Sequence, residues 1–353
     1  MKRFAMPAAA ALLLAACEAP KRTAGDAGGP LPVVKPRYVT EKVRHDTDDP
    51  AIWVNPADPA QSLILGTDKD ADGALYVFDL QGRIIPEKTV RPLRRPNNVD
   101  LEYGFLLGGV PTDIAVVTER MSSMLRIYAV PDMRPVDGGG IPVFEGEAGP
   151  EHRDLMGIAL YKQPATGEVY AIVGRKQGPQ DGTYLWQYRL ADAGGGRIGA
   201  VLVRKFGAYS GLKEIEAIAV DDSLGYVYYS DEQAGIRKYH ADPARGNEEL
   251  AFFGQEGFAE DHEGISLYAE PGGAGWLIVS DQGADRFRIY TRQGPPGQPH
   301  AHQLVRTVRV AARESDGSET IARPMGPDFP RGLFVAMSTD RTFHLYRWED
   351  LAE

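Results

Sequence analysis

The chain has a single cysteine in 353 residues, Cys17, so no internal disulfide can form and no cluster of thiolates can hold zinc. Its seven histidines are scattered: His300 and His302 sit in a Pro/Gly loop, and no His-Glu-x-x-His pair occurs. A Gly-x-Ser-x-Gly elbow is missing, which disfavours a serine esterase. No glycine-rich phosphate loop opens a helix, so nucleotide hydrolysis has no support. Positive charge is in deficit. With 39 Lys and Arg against 49 Asp and Glu the net charge is −10, which argues against nucleic acid as a partner and suits divalent cations. Long hydrophobic runs are scarce as well; the one near the N-terminus is too short to span a membrane.

That N-terminal run has the layout of a secretory signal. Lys2-Arg3 precedes an apolar stretch through Leu12-Leu13-Leu14, which ends in Ala15-Ala16-Cys17. Leu14-Ala15-Ala16-Cys17 resembles a bacterial lipobox, implying cleavage before Cys17 and lipid attachment to its sulfur, with an ordinary signal peptide as the alternative. Glu18, standing where Asp would retain a lipoprotein at the inner membrane, favours the outer membrane. Residues 1–17 are then a signal peptide, and 18–36, rich in Pro, Gly and Ala, a flexible tether. Residues 37–353 form the domain, expected to be monomeric and to meet the membrane only through the lipid.

What is present is a repeat. An acid leads a short apolar strand, a second strand ends in a charged cluster, and a third closes on Tyr or Phe. Asp48-Asp49-Pro50-Ala51-Ile52-Trp53, Leu63-Ile64-Leu65-Gly66-Thr67-Asp68-Lys69 and Ala74-Leu75-Tyr76-Val77-Phe78 form the first unit. The pattern returns around Asp100, Asp154, Glu216 and Glu263, at intervals of roughly 50–60 residues, near the size of a propeller blade. Leu333-Phe334-Val335-Ala336 and the strand at Thr342–Tyr346 add a last unit, and a 43% hydrophobic fraction is enough for a large core. The fold class is therefore all-β, a six-bladed β-propeller, with a strand between Val39 and Val43 closing the final sheet. A β-sandwich is the alternative, but it does not account for an acid recurring at one rim.

Adjacent antiparallel strands place the start of the first and the end of the second at the same rim. The leading acids Asp49, Asp100, Asp154, Glu216 and Glu263 should thus meet the second-strand ends Lys69, Arg120, Lys176, Asp231-Glu232 and Asp281. One mouth of the ring is then basic on one side and acidic on the other. This suits an anionic ligand held through metal ions.

The residues at this rim carry a resemblance to β-propeller phytases. It lies in Asp46-Thr47-Asp48-Asp49-Pro50-Ala51-Ile52-Trp53-Val54, Gly66-Thr67-Asp68-Lys69 and Pro96-Asn97-Asn98-Val99-Asp100. It extends to Ser230-Asp231-Glu232-Gln233-Ala234-Gly235, His262-Glu263-Gly264 and Pro330-Arg331-Gly332-Leu333. The resemblance implies a six-bladed, calcium-dependent phosphomonoesterase acting on phytate (myo-inositol hexakisphosphate) through metal-activated water. It implies phosphate binding by Lys69, Arg120 and Lys176, and metals at the scissile phosphate held by Glu216 and Glu263 with Glu232 and with Asp316 or Glu314. Asp48, Asp49, Asn98 and Asp100 would hold further calcium. Such hard oxygen donors are what Ca2+ requires. Different classes remain open: a calcium-dependent propeller lactonase or esterase, or a non-enzymatic lipoprotein binding a partner at this mouth.

Three departures from the family pattern stand out. Asp70 replaces a second Lys, Met156 replaces a Tyr, and the segment before Asp46 is short, leaving only Glu41 near an expected calcium ligand. Asp68-Lys69-Asp70-Ala71-Asp72-Gly73 reads first as an Asp-rich turn and second as a calcium clasp. Trp53 and Tyr161 are expected in the core.

Overall fold

The computed structural model describes residues 31–352. The expected signal peptide, Cys17 and most of the expected tether lie outside the described residues. Pro32–Glu353 form one compact unit, and among the described residues no helix is long and apolar enough to cross a membrane.

Six antiparallel sheets follow one another along the chain, each built outward from an innermost strand. Those innermost strands are Thr47–Trp53, Pro96–Leu107, Leu155–Lys162, Ile218–Asp221, His262–Ala269 and Ser318–Ile321. The second strands are Leu63–Asp68, Val110–Glu119, Val169–Arg175, Tyr226–Asp231, Gly275–Asp281 and Leu333–Ser338. The predicted six-bladed propeller is the observed fold.

Six hydrophobic clusters lie at the six junctions between blades. Tyr229 packs toward blade three with Tyr161 and Ile172, whereas Tyr228, one residue earlier, packs toward blade five with Leu277 and Val279. Strand alternation thus feeds both faces of each sheet into a core, which is why the strands read as apolar runs. Trp53 and Tyr161 are buried as expected.

The ring closes through the N-terminal segment. Tyr38–Val39 pairs antiparallel with Thr342–Arg347 as the outermost strand of blade six; it overlaps the stretch predicted for this role, Val39 to Val43, only at Val39, although the Thr40 and Val43 amides still donate to the Phe343 and Arg341 carbonyls. Val33–Val34 also joins the body, pairing parallel with Leu304–Val310 in blade five. The tether drawn to residue 36 therefore ends earlier, because two valines find an open sheet edge there.

Candidate metal and phosphate site

The innermost strands of blades one, two, three and five slip register at their start: between Thr47 and Pro50, Pro96 and Val99, Leu155 and Ile158, and His262 and Ile265. Each slip is a bulge, which re-aims side chains. In blades four and six the same segment precedes the strand, still paired by Ser230 N–H to the Ala217 carbonyl and Met337 N–H to that of Gly317. The first bulge position is accordingly occupied, in blade order, by Asp48, Asn97, Met156, Glu216, Glu263 and Asp316. The residue just beyond each second strand is Lys69, Arg120, Lys176, Glu232, Gln282 and Thr339. Cations come from blades one to three and carboxylates mostly from blades four to six.

These positions meet. Lys69 Nζ lies 2.7 Å from Asp48 Oδ1 and 3.1 Å from Asp316 Oδ2, bridging blades one and six. Gln282 donates its amide to Asp316 Oδ1. Asn97 Nδ2 donates to Glu216 Oε1. Arg120 Nε donates to the Leu155 carbonyl at 3.2 Å, and its Nη2 reaches the Met156 sulfur, so Met156 has become a partner of Arg120. Lys176 Nζ is 3.5 Å from Glu151.

Oxygens of Glu214, Glu216 and Glu232 lie within 4.8 Å of one another, as do those of Glu232, Asp261 and Glu263. Burial pushes the Asp48, Glu263 and Asp316 carboxyls above their ordinary range, and the Glu216 charge pushes each the same way. Glu232 is pushed up to about 9, by burial first and then by Glu216. So much carboxylate held out of water is costly unless cations are supplied. Asp48 Oδ2, Asn97 Oδ1, Glu232 Oε1 and Glu263 Oε2 are buried without a hydrogen-bond partner. Unspent oxygens with no sulfur or imidazole among them fit a hard divalent cation.

The structure places several predicted residues elsewhere. Asp100 lies three residues beyond Asn97, and its carboxylate accepts from the Leu101 and Leu160 amides at 2.6 Å, stitching blade two to blade three. Asp154 precedes the Leu155–Lys162 strand. Asp49 and Asn98 stand one position past the mouth: Asp49 Oδ2 accepts from Val99 N–H, and a Cβ on Gly317 would come within 2.5 Å of Asp49 Oδ1. Glu314 is exposed, leaving Asp316 as the member of that pair in the cluster. Asp231 and Asp281 turn away from the mouth and bind Arg237 at 2.8 Å and Arg286 at 2.7 Å. The Asp68–Gly73 hairpin is an Asp turn: Asp70 accepts from Asp72 N–H, and Asp72 is paired with Arg44 at 2.6 Å. Glu41 accepts from the Ile84 amide at 2.7 Å.

Asn97, Lys213, Glu214, Asp261 and Gln282 were not anticipated. Asn97 and Gln282 were within reach, because aligning Thr47-Asp48-Asp49 with Pro96-Asn97-Asn98, and Asp68-Lys69 with Asp281-Gln282, assigns them. Lys213, Glu214 and Asp261 lie in irregular segments outside the strands, where no repeat marks them. Below the mouth, a cavity of about 380 Å³ runs along the innermost strands from Asp49 and Asn98 to Asp222 and Arg323.

The family model described as Phytase matches residues 4–344. The chain belongs to the phytase family. A 3-phytase of Bacillus subtilis (strain 168) is 29% identical over 87% of this chain and 80% of its own length. Among solved structures, a luciferin-regenerating enzyme, 14% identical, superposes over 88% of this chain and 95% of its own with a TM-score of 0.53, a likeness of fold.

Proposed function

We propose that this protein is a calcium-dependent phosphomonoesterase that hydrolyses phytate or a similarly phosphorylated inositol at the mouth. The observation that carries the reading is how two rings of equivalent positions divide one mouth. Beyond the second strands, Lys69, Arg120 and Lys176 come from three consecutive blades and Glu232 from the next; at the bulge positions, Glu216, Glu263 and Asp316 come from the other three blades. Membership of the phytase family supports the substrate class.

Glu216 and Glu263 would hold calcium at the scissile phosphate with Glu214, Glu232, Asp316 and Asp48. Calcium, when bound, supplies neutralisation of the phosphate charge and lowers the pKa of water at the reacting centre. Lys69 is fixed between two carboxylates, so its ammonium is pre-positioned to orient a phosphate. Arg120 and Lys176 would bind a second phosphate of the same ring, which fixes the substrate at two points. No side-chain nucleophile is required.

The test is phosphate release from phytate in chelator and in calcium, with Glu216→Gln and Glu263→Gln beside the wild type. Release should need calcium and be lost in both variants; undiminished release in excess chelator refutes the metal reading. Export, cleavage before Cys17 and lipid anchoring at the outer membrane are part of the same proposal, tested by radiolabelled palmitate incorporation into wild type and Cys17→Ser.

A further inference from the structure

Two carboxylate groups adjoin in the mouth and share Glu232. In the first, Glu214 and Glu216 have no lysine or arginine within ion-pair distance among the described residues, and only the shared Glu232 is paired. The second, with Asp261 and Glu263, has one. Lys213 enters from the irregular segment before blade four, its side chain about one-third exposed, and Nζ lies 2.6 Å from Asp261, 2.9 Å from Glu232 and 3.6 Å from Glu263. Gln233 completes the anchoring by donating to Asp261 Oδ1 at 2.9 Å.

We propose that Lys213 is a tethered cation that fills the second position, so that the mouth takes up one divalent ion fewer than its carboxylates could otherwise hold. This rests on the reading of the mouth as a metal centre. The Lys213 ammonium donates to Asp261 Oδ2, and the Glu232 and Glu263 carboxylates lie within ion-pair distance of the same positive charge. Its N–O distances to Asp261 and Glu232 are only a few tenths of an ångström longer than calcium–oxygen bonds of about 2.3–2.6 Å. An ion arriving there would have to displace an ammonium that its own chain keeps at high local concentration, and would still face that positive charge nearby. Calcium would therefore enter on the Glu214–Glu216 side, where the unpartnered Glu232 Oε1 and Glu263 Oε2 remain to serve it, while Lys213 offsets the charge of Asp261 and of the other oxygens of Glu232 and Glu263 without consuming a second ion.

The experiment counts calcium ions per chain by isothermal titration calorimetry on chelator-stripped wild type, Lys213→Gln and Lys213→Arg. Lys213→Gln should bind one ion more than wild type; Lys213→Arg, which keeps the charge, should bind the wild-type number. In chelator Lys213→Gln should melt below wild type, and saturating calcium should restore it, so a fold loss confined to the metal-free state supports the proposal. Equal ion numbers in wild type and Lys213→Gln overturn it, since calcium would then be displacing the lysine. If Lys213→Gln cannot be prepared even in calcium, a calcium-soaked wild-type crystal decides: Nζ still within about 3 Å of Asp261 supports the proposal, and calcium in its place refutes it. A wild type that binds no calcium at all sinks the metal reading itself, a different outcome from equal numbers.

Discussion

Asn97 of blade two donates its side-chain amide to Glu216 of blade four, passing over the bulge of blade three, where Met156 stands. The bond is short, 2.5 Å, and both residues are buried. It fixes one Glu216 oxygen and leaves the other to face the neighbouring carboxylates. Replacing Asn97 by Ala removes a hydrogen bond to a carboxylate, a loss of about 1.5–3 kcal/mol. Calcium affinity should fall by about tenfold or more, with kcat falling alongside it while KM for phytate moves little. Calorimetry and steady-state kinetics on Asn97→Ala measure both; an unchanged affinity would mean that Glu216 is positioned by something else.

A second device ties the blades together next to the mouth. The hydroxyls of Thr67, Thr118 and Ser230 donate to the Asn97, Met156 and Glu263 carbonyls at 2.6, 2.7 and 2.8 Å. Each is buried and reaches the bulge of the next blade. Blade three has Gly174 at this place, where a Cβ would approach the Ile215 carbonyl to 2.8 Å, so contact there is direct. Ser230→Ala should cost about 1–2 kcal/mol in unfolding, because the Glu263 carbonyl loses its donor in a buried setting. Denaturant melts in calcium would show it. The loss should be accompanied by weaker calcium binding, since the same carbonyl belongs to a proposed ligand.

The lower end of the channel supplies a pH dependence. Burial, and then repulsion from Glu102, pushes the Asp222 carboxyl up to about 8. Burial likewise pushes Asp100 up to about 7. Raised acids bind protons more tightly folded than unfolded, so their contribution is full below about pH 4 and is lost as pH rises through about 7–8. Asp222 Oδ1 accepts from the Lys162 amide at 2.9 Å, a bond that an Asn oxygen can also accept. Asp222→Asn should therefore melt higher than wild type at pH 8 and close to it at pH 4. A difference that grows toward acid would contradict the assignment.

The basic side of the mouth separates two kinds of contact. Lys176 should act on the second phosphate of the substrate: Lys176→Ala is expected to raise KM for phytate and to leave a monophosphate ester nearly unaffected. Arg95 is the other candidate, because Asp70 stands where a second lysine would give charge. Its backbone is clamped between the Asp70 carbonyl at 2.8 Å and the Arg120 amide at 3.0 Å, in the left-handed region at φ 58°. Its Nε is buried without a partner, and its charge bears on the Asp46 carboxyl. A non-glycine residue held in that conformation at a mouth points to use of its side chain. Arg95→Gly keeps the backbone and removes the charge; KM for phytate should rise by about tenfold, the loss of one charge-assisted contact. An equal change on a monophosphate would count against substrate binding by Arg95.

The fold was largely legible because its cause is local. Alternation and turn residues recur every blade, and stacking identical units is the way such sheets bury both faces. The cation trio was legible for the same reason: Lys69, Arg120 and Lys176 each follow a second strand directly, so strand direction alone puts them at one rim. The acids were harder to read, because a bulge shifts register by a residue. Asp100 and Asp281 share the composition of the ligand set but point into an amide clasp and an arginine, while the plain-looking Asn97 and Gln282 take the equivalent mouth positions.

What the chain itself determined is the period, the number of units and the rim at which charge collects, since these follow from hydrophobic alternation along neighbouring residues. Only the closed ring decided which oxygens meet. Glu216, Asn97, Asp48 and Asp316 are brought together by the curvature of six packed sheets. Lys213 and Asp261 are brought together by loops that carry no repeat. Distances between residues far apart in sequence are set by the packing of everything between them, and no local pattern encodes that.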